Sequence, residues 1–190
     1  MKSIILSILF LSLIKYCFAQ EKAALHNEKN VIKAGLNTYF VEDPFVFNIA
    51  LEHKIAVNKS LQLEVMPVFF KNKSVAKNGV GFAISYRNYL PKGNNDLSGI
   101  YISPMLKTGF VNIKYSTGFE TKVTNINAAF LFGKQWFFEN KLVLDFNGGI
   151  GFFKNYSTPE IIYLVVDKDK LSYNKSSVSP NFNLKVGYAF

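Results

Sequence analysis

Residues 179–190 read SPNFNLKVGYAF. Backwards from the last residue, Phe190, Tyr188, Val186, Leu184 and Phe182 are apolar. Ala189, Gly187, Lys185 and Asn183 between them are small or polar. Water-soluble domains usually end in frayed polar residues. A strict two-residue rhythm carried to a terminal Phe marks a β-strand with one apolar face. The rest of the chain has to say what that face meets.

The same rhythm recurs in seven upstream segments of about ten residues, the length of a transmembrane strand. They are 31–40, 45–57, 60–70, 79–90, 99–111, 123–137 and 141–153. In 45–57, Phe45, Phe47, Ile49 and Leu51 alternate with Asn48, Ala50, Glu52 and Lys54. In 123–137, Ile126, Ala128, Phe130, Phe132 and Trp136 alternate with Asn125, Asn127, Ala129, Gly133 and Gln135. With the C-terminal segment this makes eight strands and predicts an all-β fold: an eight-stranded antiparallel transmembrane up-and-down β-barrel over 30–190. VNKS, PKGNNDLS and FENK are short, turn-rich connections on one side. VEDP, KNKSVAKN, NIKYSTGFETK and the stretch 154–178 are expected as the outer loops.

Composition agrees with strands. Aromatics reach 16%, with 19 Phe and 10 Tyr against a single Trp, and charged residues fall to 18%, below the usual quarter or so of soluble domains. Residues 1–19 carry Lys2, then the apolar run Ile4–Ile14, then small residues at Cys17 and Ala19. That is a secretory signal cleaved after Ala19, followed by a tail at 20–29. An uncleaved anchor would need a longer apolar run. A lipoprotein signal would need a small residue where bulky Tyr16 precedes Cys17. Cleavage removes the only Cys and, with Lys2 and Lys15, lowers the formal charge of +9 by two, to +7. The remaining charges are scattered, so lipid headgroups are expected as partners and nucleic acid is not.

In such a barrel the apolar face meets lipid and the polar face lines the lumen. The inward set is then Lys33, Glu52, Lys54, Glu64, Arg87, Lys107, Asp145 and Lys185. Buried charges must pair, and Glu64 with Arg87 and Asp145 with Lys185 are the expected pairs. The network is expected to be structural, a polar plug that fixes register; an ion path is the alternative. Tyr188, Trp136 and Tyr86 are placed in an aromatic girdle at the periplasmic rim. Phe40, Phe45, Phe69, Phe110 and Phe152 fall near the opposite rim. Phe190, with Tyr188, resembles the C-terminal signal read by barrel-assembly machinery. A soluble sandwich or lipocalin-like barrel would give the same alternation with the apolar face turned inward.

No enzyme is expected, and no cofactor or metal site. The histidines are His26, in the tail, and His53, on the lipid-facing phase. Neither has a Ser and an acid at triad spacing, and two scattered histidines make no metal site. NGGIG at 147–151 lacks dinucleotide spacing and reads as close strand packing. The run Ile161–Val166 in the last loop is expected either as a hairpin extending the last two strands or as a contact for a surface partner.

GVGFAISYRNYLP, GIYISPMLKTGF and INAAFLFGKQWFFENKLVLDFNGGIGF resemble domain-of-unknown-function family 3575, small outer-membrane barrels common in Bacteroidetes. The resemblance covers about Asn30 to Phe153. It implies a barrel like the membrane domain of outer membrane protein A, in a Gram-negative outer membrane. It brings no activity and no catalytic residues. The expected role is structural, or a surface contact through the outer loops. A narrow channel and a lipid-modifying enzyme are the alternatives.

Overall fold

The computed structural model describes residues 28–38, 46–90, 97–138, 140–158 and 176–190. Eight strands are present: β1 (Asn30–Asn37), β2 (Val46–Ala56), β3 (Lys59–Lys71), β4 (Val75–Tyr89), β5 (Gly99–Tyr115), β6 (Glu120–Phe137), β7 (Leu142–Thr158) and β8 (Ser176–Ala189). Each pairs antiparallel with the next, and β8 pairs with β1 to close the barrel. Closure uses the last residue. Asn30 N–H donates to the Phe190 carbonyl at 3.1 Å, and Phe190 N–H donates to the Asn30 carbonyl at 2.9 Å.

The faces decide between the two alternation readings. Ile32, Phe47, Ile49, Leu63, Phe82, Leu106, Phe130, Phe146 and Leu184 are all exposed on the outside. Lys33, Glu52, Gln62, Arg87, Gln135 and Asp145 are buried inside. A soluble barrel has the opposite arrangement. Apolar outside and polar inside is what a bilayer-embedded barrel requires.

The strands are longer on one side than their alternation suggested. KNKSVAKN and NIKYSTGFETK are not long loops. They continue the β3–β4 and β5–β6 ladders to tight turns, with Lys71 opposite Ala76 and Lys114 opposite Glu120. The reason lies in the inward residues. Val111, Ile113 and Val123 are buried against Val68 and Met66, so the rhythm persists beneath a Lys-, Ser- and Thr-rich exterior. Among the described residues the β2–β3 ladder stops at Ile49–Val65. Pro67 lies just beyond that point, and proline cannot donate to a ladder.

Phe40, Phe45, His26 and the run Ile161–Val166 lie outside the described residues, as do the signal segment and most of the 154–178 stretch. At its ends, Lys154–Thr158 and Ser176–Val178 belong to β7 and β8.

Candidate functional site

The lumen collects the inward charges in two connected groups. In the first, Glu52 and Asp145 face Lys33 and Arg87. Lys33 Nζ donates to a Glu52 carboxylate oxygen, to Asp145 Oδ2 at 3.0 Å, to Gln62 Oε1 at 3.0 Å and to Gln135 Oε1 at 2.5 Å. Arg87 Nη2 donates to Asp145 Oδ2 at 2.8 Å, and Nη1 reaches Gln135 Oε1 at 3.1 Å and Glu52 Oε2 at 3.5 Å. Two tyrosines complete the carboxylates: Tyr89 OH donates to Glu52 at 2.6 Å and Tyr101 OH to Asp145 at 2.6 Å. Ser60 also donates to Glu52. The Arg87 guanidinium lies 4.5 Å from the Tyr101 ring centroid. Two cations and two carboxylates balance, which is how such charges tolerate burial.

In the second group Lys185 Nζ donates to Glu64 Oε1 at 2.8 Å, and Asn48 Nδ2 donates to Oε2 at 3.0 Å. Gln62 joins the groups, accepting from Lys33 and donating to Glu64 at 2.5 Å. Lys107, also buried, reaches across to the Thr38 carbonyl at 3.1 Å. Lys54 sits half-buried where the β2–β3 register shifts.

The pairing differs from expectation. Arg87 stands opposite Ser60, four residues from the position of Glu64, which stands opposite Ala83. At ~3.4 Å per residue that offset is about 14 Å, too far for the expected Glu64–Arg87 pair. Asp145 and Lys185 are direct register partners, yet their charged tips go to Arg87 and Glu64. In a narrow lumen a long side chain reaches the far wall as readily as the neighbouring strand. Tyr89 and Tyr101 were missed, although their odd-numbered phase points inward with Arg87 and Ser103.

The lumen is not polar throughout. Val31, Tyr89, Leu97, Tyr101, Val143 and Ala189 pack together at the turn end, with Phe137 against them. At the other end Met66, Val68, Met105, Val111, Ile113, Val123 and Leu131 form a second apolar cluster. The two charge groups lie between these clusters, while Lys77, in register with Ile113, is a further buried charge beside the second cluster, and Thr121, Asn125, Asn127 and Asn181 line the lumen at that end. Gly133 makes room for one of the paired charges: a Cβ there would sit 2.6 Å from both Tyr101 Cζ and Asn147 Cβ. Tyr101 can then reach Asp145 while Asn147 Nδ2 donates to the Tyr101 oxygen at 2.9 Å.

The polar contacts found in this lumen are charge pairs and hydrogen bonds. Glu52, Glu64 and Asp145 are each engaged by cations and neutral donors. His53 is on the exterior, its Nδ1 2.7 Å from Asn30 Oδ1. Among the described residues no three His, Cys, Asp or Glu side chains group as metal ligands. Tyr188 and Phe190 lie exposed at the turn-end rim. Trp136 is half-buried on the same rim, and the Lys134 ammonium lies 4.9 Å from its ring centroid.

No family model and no curated protein matches the chain. The resemblance to family 3575 therefore rests on the quoted segments alone. Among solved structures, the chain is similar to Ail, the attachment invasion locus protein of Yersinia pestis. The identity is 12%, over 87% of this chain and all of that one, with a TM-score of 0.49.

Proposed function

We propose that the protein is an outer-membrane β-barrel whose role is structural or is exercised through its outer surface, with no transport through the lumen and no catalysis. One observation carries this: a belt of exposed apolar side chains surrounds a lumen crossed by paired charges, with an apolar cluster on either side of them. The belt favours lipid. The filling leaves side chains where a pore would need water. Export by a cleaved signal and assembly by the barrel machinery belong to the same proposal, as does a surface partner near 154–178.

The test is fractionation of expressing cells, with gel mobility before and after boiling, followed by planar-bilayer recording. An outer-membrane band that shifts on boiling and produces no current steps is the expected result. A soluble periplasmic protein without the shift would overturn the location. Steady conductance would overturn the sealed lumen.

A further inference from the structure

We propose that the rim around Trp136 docks an anionic glycerophospholipid of the periplasmic-side leaflet, with the Lys134 ammonium binding its phosphate; this rests on the membrane reading above. Lys134 is on the outward face of β6. Along the strand its same-face neighbours are Phe132 and Trp136. Across the ladders they are Ile100 and Phe146. Among the described residues it is the one charged side chain enclosed on all four sides by apolar or aromatic neighbours on the lipid-facing surface. A lysine in such a place extends its stem along the apolar surface and carries its ammonium to the headgroups.

The geometry gives the direction. Trp136 is two residues nearer the end of β6, and the ammonium lies over its ring. The charge is therefore drawn toward the rim and away from the middle of the belt. Trp at an interface is itself a headgroup-level anchor.

A second lysine fixes the depth. Lys154 lies 4.9 Å from the Tyr156 ring centroid, and its register partner on β6 is Ile126. Eight residues separate Ile126 from Lys134. At ~3.4 Å per residue they span about 27 Å along the strand, and with a tilt of ~40° about 21 Å along the barrel axis. The apolar band of such barrels is ~25 Å tall. The two lysine–aromatic pairs thus stand just inside the two edges of the band, and the Lys134 stem, drawn toward Trp136, carries its ammonium outward to the headgroups.

Charge favours an anionic lipid over a zwitterionic one. Among the described residues the turn-end rim carries Lys29, Lys54, Lys59, Lys134 and Lys141 against Glu28, which pairs with Lys141 at 3.0 Å. A lysine near a membrane surface enriches anionic lipid about fivefold.

Trp136 is the only tryptophan, so its fluorescence reports the site. The full chain is reconstituted in phosphatidylcholine vesicles doped with phosphatidylglycerol or phosphatidylcholine brominated near the glycerol end. Relative association constants come from quenching. The expected preference for phosphatidylglycerol is about fivefold. It should fall in Lys134→Gln and persist in Lys134→Arg and in Lys122→Gln, at the opposite end of β6. An equal response to the two lipids in the unaltered protein overturns the docking site. So does a preference that Lys134→Gln leaves intact, or that Lys122→Gln lowers as much. Quenching by neither lipid would instead remove the membrane reading beneath it. Gel mobility before boiling confirms that each variant is folded.

Discussion

Replacing Asp145 by Ala tests whether the luminal charges hold the barrel together. The carboxylate accepts from Arg87 Nη2 at 2.8 Å, Lys33 Nζ at 3.0 Å and Tyr101 OH at 2.6 Å, all of them buried. Without it Lys33 and Arg87 share Glu52 as the carboxylate of their group, and Arg87 keeps its hydrogen bonds to Gln135 and Glu52 and its place over the Tyr101 ring. Removing one partner of a buried ion pair costs about 3–5 kcal/mol. Three hydrogen bonds to a charged group, at ~1.5 kcal/mol or more each, give the same range from a different starting point. Against a total stability of about 5–15 kcal/mol, the Asp145→Ala barrel should unfold at much lower urea.

The second arm removes the charge from both partners. Arg87→Met with Asp145→Ala leaves Lys33 facing Glu52, a neutral pair. The double variant should then be more stable than Asp145→Ala alone, with a coupling energy of about 2 kcal/mol or more. Urea titrations in lipid vesicles, read by Trp136 emission and by the boiling-sensitive band, supply the cycle. A loss below about 1 kcal/mol for Asp145→Ala, or no coupling, would falsify the claim that these charges act as a set. The carboxylate would then be hydrated.

Other outcomes follow from the faces and the packing. Phe130 lies midway between Lys134 and Ile126 on the outside, so Phe130→Arg should cost about 2–4 kcal/mol in vesicles. Leu144, which alternation alone suggests is near the midplane, is the register partner of Trp136 at the rim; Leu144→Arg should cost only about 0–1 kcal/mol. The reverse order in urea titrations would misplace the belt. Gly133→Val should lose about 1–3 kcal/mol through overpacking against Tyr101 and Asn147, read by the same titration; no loss would mean that Tyr101 moves freely. Deleting Phe190 removes both backbone bonds to Asn30, whereas Phe190→Ala keeps them. Lower yields of the boiling-sensitive band for both variants assign assembly to the side chain; a defect in the deletion alone assigns it to barrel closure.

The alternation was legible because a strand in this barrel has one lipid-facing side, and lipid tolerates few exceptions. Phe47, Ile49 and Leu51 could not exchange faces with Asn48, Ala50 and Glu52 without turning charges outward. The rhythm was hidden in 71–78 and 112–122, where the outward residues include Lys71, Asn112, Lys114 and Lys122. The apolar residues there, Val75 and Ile113, are on the inner face, interrupted by buried Lys77 and Thr121, and a run of polar residues with spaced Val and Ile resembles a loop. Partner choice was not legible at all. Alternation fixes the face of Arg87 but not its height relative to Glu64. Height follows from register and stagger, which depend on how eight strands close together.

A closed lumen, as proposed above, would confine contact with the surroundings to the exterior. To admit a solute, the barrel would have to separate Arg87 from Asp145 and Lys33 from Glu52, then pass Met66, Met105 and Leu131. Each separation would leave a buried charge without its partner. Loosening these pairs for conduction would then loosen the barrel as well. On that reading the surfaces left for interaction are the lysine-bearing tips of β3–β4 and β5–β6 on one side, and the Lys134–Trp136 rim on the other.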